Sequence, residues 1–261
     1  MIYRYNADSW DEFVHDLRTR KKLWDSCGDS DAVADDDWYG SKTWDEAMQY
    51  AVTGHAVARA ALEAVAVKQT TSPEPLWDTA PVGAFPCIPA HAAGVPEDMF
   101  AQSELAPPVS QPIVRIVVNM SGSAGITAQS IINRGAAIVT LIDQIQASGK
   151  RVELIAVKHG HNADRTEKYV WQVTIKRPEE PIDMDRIGLA FATPIMLRRF
   201  FFRVLEFTVP HEVYAHGYST HYSDECRGAD LVLPVITGNE YSTPARANAL
   251  VQQLWERAVS A

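Results

Sequence analysis

Residues 113–157, IVRIVVNMSGSAGITAQSIINRGAAIVTLIDQIQASGKRVELIAV, decide the fold. The run IVRIVVN is rich in β-branched residues, which suits a central strand buried on both faces. The polar turn Asn-Met-Ser-Gly-Ser follows it. Residues 127–149 then place Ile131, Ile132, Ala136, Val139, Ile142 and Ile145 on a broad apolar face at helical spacing, and Gly149 is a fitting stop. RVELIAVKHG reads as the next strand. The order is strand, turn, helix, strand, the unit from which parallel sheets are built.

Working outward, the downstream chain keeps this alternation. KYVWQVTIKRP sets Tyr169, Trp171, Val173 and Ile175 against polar neighbours, the pattern of a half-exposed strand near a sheet edge. PIDMDRIGLAFATPIMLRRFFFRVLEF is helical with a break at Thr193-Pro194, because proline is tolerated in a helix's first turn. ADLVLPVITGNE is a further strand, and STPARANALVQQLWERAVSA a closing helix with Pro244 near its start. Upstream, residues 71–112 are crowded with prolines, which remove backbone donors and break regular elements. They read as an irregular crossing segment, packed on the core by Trp77, Phe85, Ile88, Met99 and Phe100. Residues 1–70 read as helical. Ser9 with Glu12 and Thr43 with Glu46 have capping-box spacing, and Gly54 separates two helices. The expected fold is α/β: a mainly parallel sheet with helices on both faces in three layers, preceded by a helical N-terminal region. Its parts are 1–70, 71–112 and 113–261.

The net charge of −9 argues against bulk nucleic-acid binding, which relies on Lys and Arg neutralising phosphates. Three distant cysteines form neither a disulfide framework nor a CxxC pair. The first residues have no apolar secretory core, and no apolar run reaches the roughly 18 residues of a membrane span. A cytoplasmic protein that does not enter membranes is expected.

In parallel sheets, ligands bind at the carboxyl ends of the strands. Three polar turns fall there: 119–123, 192–194 and 237–239. Together they resemble the von Willebrand factor A-type domain over roughly residues 113–261. In that family Asp-x-Ser-x-Ser at the end of the first strand, a later threonine and a still later aspartate hold a divalent metal. VVNMSGSAG puts Asn119, Ser121 and Ser123 at the matching spacing. AFATP offers Thr193, and LVLPVITGNE places Thr237 where the last aspartate would be. The chain as a whole is similar to proteins encoded by tailed phages and prophages. The resemblance implies a degenerate metal-ion-dependent adhesion site. Mg²⁺ favours charged oxygen ligands, and here both aspartates are replaced, so the turn is expected to hold no metal by itself. Neither GxxxxGK[ST] nor GxGxxG occurs there. Helix capping by Asn and Ser is the plain alternative.

Other candidates carry less specific chemistry. His159 and His161, with Asp164 nearby, share a side if the chain stays extended through Gly160. His216, His221 and Cys226 are a second loose metal-ligand set, since HEVYAH misses HExxH by one residue. Arg199 and Arg203 are helical i, i+4 neighbours, suited to a salt-bridged face or an anion patch. No serine elbow or triad order is present. The reading is a non-enzymatic binding or adaptor protein without cofactor, phage- or mobile-element-encoded. It holds a protein partner at the carboxyl edge through Asn119, Ser121, Ser123, Thr193 and Thr237. In a phage setting its place is the host cytoplasm, with virion association open. The alternatives are a nucleic-acid binder using the arginine helix, and a Mg²⁺- or Zn²⁺-dependent hydrolase or nuclease using the histidines.

Overall fold

The first strand of the deciding stretch, Ile113–Asn119, lies inside a five-stranded sheet, with the helix Ala128–Ala147 and the strand Arg151–His161 following as expected. The computed structural model describes residues 1–24, 30–33, 36–65, 77–102, 111–122, 125–162, 166–211 and 228–260. In chain order the strands are β1 (Ile2–Ala7), β2 (Trp77–Ala80), β3 (Phe85–Pro86), β4 (Met99–Gln102), β5 (Ile113–Asn119), β6 (Arg151–His161), β7 (Lys168–Lys176) and β8 (Leu231–Leu233). The helices are α1 (Trp10–Thr19), α2 (Asp36–Tyr39), α3 (Trp44–Thr53), α4 (Ala56–Val65), α5 (Ile88–Ala92), α6 (Ala128–Ala147), α7 (Met184–Phe191), α8 (Phe201–Thr208) and α9 (Pro244–Ser260). A π-helical turn, Met196–Phe200, leads into α8.

The chain divides into two units. One joins Met1–Gln69 to Ile113–Ala261, and the other is Thr70–Pro112. In the first, the sheet order is β1-β7-β6-β5-β8. All neighbours are parallel except β6 and β7, which run antiparallel. The architecture is α/β with a mostly parallel sheet. Val114, Ile116 and Val118 of β5, Val152, Leu154 and Ala156 of β6, and Trp171, Val173 and Ile175 of β7 form one continuous core with the buried faces of α1, α3, α4, α6, α7, α8 and α9. The other sheet face carries a smaller buried cluster of Val117, Ile155 and Val157, against which Ala229 packs.

One sequence reading is corrected. The first residues do not open with a helix: Ile2–Ala7 form a strand at the sheet edge, in register with β7. β7 lies next to that edge strand, near the edge as expected, with Tyr169, Trp171, Val173 and Ile175 buried and Lys168, Val170 and Gln172 partly exposed. The helical caps behave as their spacing predicts. Glu12 N donates to Ser9 Oγ at 3.1 Å and Glu46 N to Thr43 Oγ1 at 3.1 Å, each satisfying one of a helix's orphan donors.

The unit Thr70–Pro112 also differs from the irregular crossing expected of it. Its described part is a three-stranded antiparallel sheet, order β2-β4-β3, with the short helix α5. Phe85 and Phe100 face each other across β3 and β4, ring centroids 5.4 Å apart.

Two glycines are demanded by close approach. A Cβ on Gly160 of β6 would stand 1.9 Å from the Tyr169 ring, which stacks on Trp171 at 4.9 Å. A Cβ on Gly135 of α6 would meet the Phe191 carbonyl oxygen at 2.8 Å, so α6 and α7 touch through backbone. Among the described residues no helix is long and apolar enough to cross a membrane.

Candidate functional site

The carboxyl ends of parallel strands leave backbone carbonyls without ladder partners, and something must satisfy them. At β5 and β8 that partner is Arg134. Its guanidinium donates from Nη1 to Asn119 O at 2.9 Å, and from Nη2 to Pro234 O at 2.7 Å and Leu233 O at 3.3 Å. Arg134 is 3% exposed and its Nε has no hydrogen-bond partner. Burial pulls its pKa below the usual arginine value, against Tyr241 and Glu240, which push it up. The sequence reading missed this residue. The signal was present: a charged side chain three residues after Ile131 and four before Ile138, inside an apolar stripe.

Around Arg134 the structure brings together three of the expected residues. Ser121 and Thr193 line a small, partly open cavity of about 10 Å³ with Arg134, Met120, Gly122, Ile126 and others. That is about room for one water. Asn119 stands beside it, 5% exposed, and accepts from Ser121 N at 2.9 Å through Oδ1, an Asx turn. Ser121 Oγ donates to His159 O at 3.2 Å. Thr193 Oγ1 donates to Leu189 O at 2.7 Å and accepts from Ile195 N at 3.2 Å. Thr237 lies on the exposed rim, where its hydroxyl donates to Glu240 Oε1 at 2.6 Å and Gly238 N donates to Oε2 at 2.7 Å. These bonds hold the Glu240 carboxyl below its ordinary pKa, the Thr237 bond foremost. Ser123 lies outside the described residues.

These groups do not fit a divalent cation. Asn119 Oδ1 is occupied, both hydroxyls point their protons at backbone carbonyls, and the charge lining the cavity is a buried guanidinium. A second positive charge in that low-dielectric setting would be repelled rather than held.

The other candidates separate. β6 stays extended through Gly160 to His161, so His159 and His161 do fall on one side. His161 Nδ1 is 2.7 Å from Asn162 O. Among the described residues no three His, Cys, Asp or Glu side chains gather to hold a metal ion. His216, His221, Cys226 and Asp164 lie outside the described residues.

The arginine helix is an internal fastening, not a surface patch. Arg199 is fully buried and donates to Ala32 O at 2.6 Å, Ser41 O at 2.7 Å, Ser30 O at 2.8 Å and Lys42 O at 3.2 Å, with the Tyr39 ring 4.1 Å away. Arg203 donates to Ser30 Oγ at 3.0 Å and pairs with Asp31. Arg198 reaches Trp38 O at 2.7 Å and Ile126 O at 3.2 Å. Glu206, 0% exposed, accepts from Ser30 N and Oγ at 2.9 and 2.6 Å, and Lys22 stands 3.4 Å from it. Burial raises the Glu206 pKa above the carboxylate norm, opposed by those bonds and by Lys22 and Arg203. Guanidinium groups so engaged are not offered to phosphates.

An open groove of about 380 Å³ lies elsewhere, among α1, α3 and the start of α7. Two of the carboxylates that line it, with Asp11, are engaged: Asp183 caps α7, and Asp185 pairs with Arg59 at 3.0 Å.

A family model described as "Domain of unknown function (DUF7192)" matches residues 1–254. No curated protein and no solved structure matches the chain.

Proposed function

For this chain, which belongs to the DUF7192 family, we propose a non-enzymatic binding or adaptor role, with a partner protein held at the carboxyl edge of the sheet. One observation carries this reading. The edge keeps the polar turns Asn119–Ser121, Thr193 and Thr237, but spends the Ser121 and Thr193 hydroxyls on backbone, the Thr237 hydroxyl on Glu240, and its one cavity-lining charge on strand carbonyls. Among the described residues, no acid, base or nucleophile is poised there for chemistry. What faces outward is the rim of Thr237, Gly238 and Glu240, a carboxylate backed by a buried guanidinium. The likeness to von Willebrand A-type domains supports the same edge as the docking place, and the likeness to phage-encoded proteins supports a phage or mobile-element origin.

The test has two parts. A ligand that binds only the folded chain raises its melting temperature. Melts with and without Mg²⁺, Mn²⁺ or Zn²⁺ are expected to coincide, and native-purified protein to carry no stoichiometric metal. A metal shift lost in Thr193→Ala would overturn the reading. In the second part, Glu240→Lys is expected to abolish capture of the partner retained by wild-type protein, with the chain still folded and its melt lowered only by the loss of the Thr237 and Gly238 bonds. Equal capture by both proteins would remove the rim from the interface.

A further inference from the structure

The unit Thr70–Pro112 poses a problem that the rest of the molecule does not. No side chain described from Thr79 to Phe100 is buried. Its sheet has strands of four, two and four residues, which is too little to be stable without an apolar face covered by something. α5 buries none of its residues. Large apolar side chains stand in water instead: Val82 is 83% exposed, Ile88 68%, Phe85 45% and Val95 41%. Scattered single apolar residues on a surface are ordinary; here four fall within fourteen positions of a unit that buries none of its described side chains.

The charges say what docks. Residues 70–112 contain Glu74, Asp78, Glu97, Asp98 and Glu104 and no Lys or Arg, five negative charges of the chain's net −9. Nucleic acid and anionic membranes carry the same sign and are repelled. A second copy packing this face on itself would set carboxylates against carboxylates. Complementarity calls for the opposite sign. We propose that the exposed apolar surface of residues 79–100, centred on Val82, Phe85 and Ile88, is a docking face for a protein partner whose apolar side chains are ringed by Lys and Arg. The proposal does not depend on the carboxyl edge binding anything.

The full chain is titrated by fluorescence anisotropy against three labelled peptides of equal length. The first is an amphipathic Leu/Lys helix former, the second its Leu/Glu counterpart, and the third a Ser/Lys peptide without an apolar face. The Leu/Lys peptide is expected to bind at least tenfold tighter than either control. The double variant Val82→Ser, Ile88→Ser should weaken it at least tenfold, and Glu97→Lys several-fold, with the second loss shrinking in high salt. All three positions are exposed, so the variants' melts should overlay the wild type. Equal binding of the three peptides, no binding of any, or Leu/Lys binding indifferent to Val82 and Ile88 would overturn the proposal. So would a concentration-dependent dimer in sedimentation that the double variant dissolves, because a second copy would then be the occupant.

Discussion

Arg199 and Lys158 are both cations sealed inside the same core, and they are treated in opposite ways. Arg199, at the end of the π-helical turn, gives its donors to the carbonyls of Ser30, Ala32, Ser41 and Lys42. Lys158, on the helix-covered face of β6, is 2% exposed and its Nζ has no hydrogen-bond partner. It sits between the rings of Phe202 and Trp171, at 5.0 and 5.6 Å. Burial lowers its pKa from 10.5 to about 7. The first charge is bound into the fold and organises a loop around itself. The second is tolerated, and near neutral pH it is half discharged.

Breaking the first member should have the larger effect. Arg199→Met leaves four backbone carbonyls without a donor and should cost roughly 3–5 kcal/mol, read as a fall in the urea midpoint. A loss under about 1 kcal/mol would show that the loop 30–42 finds other donors. Lys158→Met should act in the opposite direction. Below pH 7 the folded and unfolded chains both hold the Lys158 proton, and the fold bears its full burial penalty. From pH 7 to 10.5 only the unfolded chain holds it, so wild-type stability climbs by about 1.4 kcal/mol per pH unit from this residue. The variant should therefore be more stable at pH 7 and lack that climb. Denaturant titrations at pH 6, 8 and 9.5 would decide it, and parallel slopes in both proteins would mean that Lys158 is solvated. Gly160→Ala sharpens the comparison. It drives Tyr169 against Trp171, a wall of the lysine's enclosure, and should cost roughly 1–3 kcal/mol by overpacking. Water reaching Lys158 should also make the pH climb shallower than in the wild type.

The parts legible in the sequence are those whose cause is local. The β5–α6–β6 unit, the caps at Ser9 and Thr43, and the break before Pro194 rest on neighbours a few residues away. β1 was missed although IYRYNA alternates apolar and polar residues: six residues are a short signal beside the helix that follows, and the partner that sets the register, β7, lies far along the chain. Arg199 and Arg203 were read as a salt-bridged face or an anion patch; Arg203 does pair with Asp31, but the depth of Arg199 was not legible because its partners are far off in sequence. Arg199 bonds residues 157 to 169 positions away. At the carboxyl edge, the resemblance to the von Willebrand A-type domain grouped Asn119, Ser121 and Thr193, and they lie in one neighbourhood. It did not say that Arg134 would take the middle of it. Helix periodicity places a residue on a face but does not say which carbonyls wait opposite.

The pairing of β1 with β7 also sets a timetable. Ile2 lies in register with Lys168, so the strand made early in synthesis has no neighbour until some 166 residues later. At about 5–20 residues per second, the ribosome takes roughly 8–30 s to supply that neighbour. Through that interval Tyr3 and Tyr5 have no sheet to lie against, and α1 must close over a surface not yet made. The chain's slowest assembly step is expected to be this late annealing of its earliest strand, with the exposed edge of β7 waiting as the template.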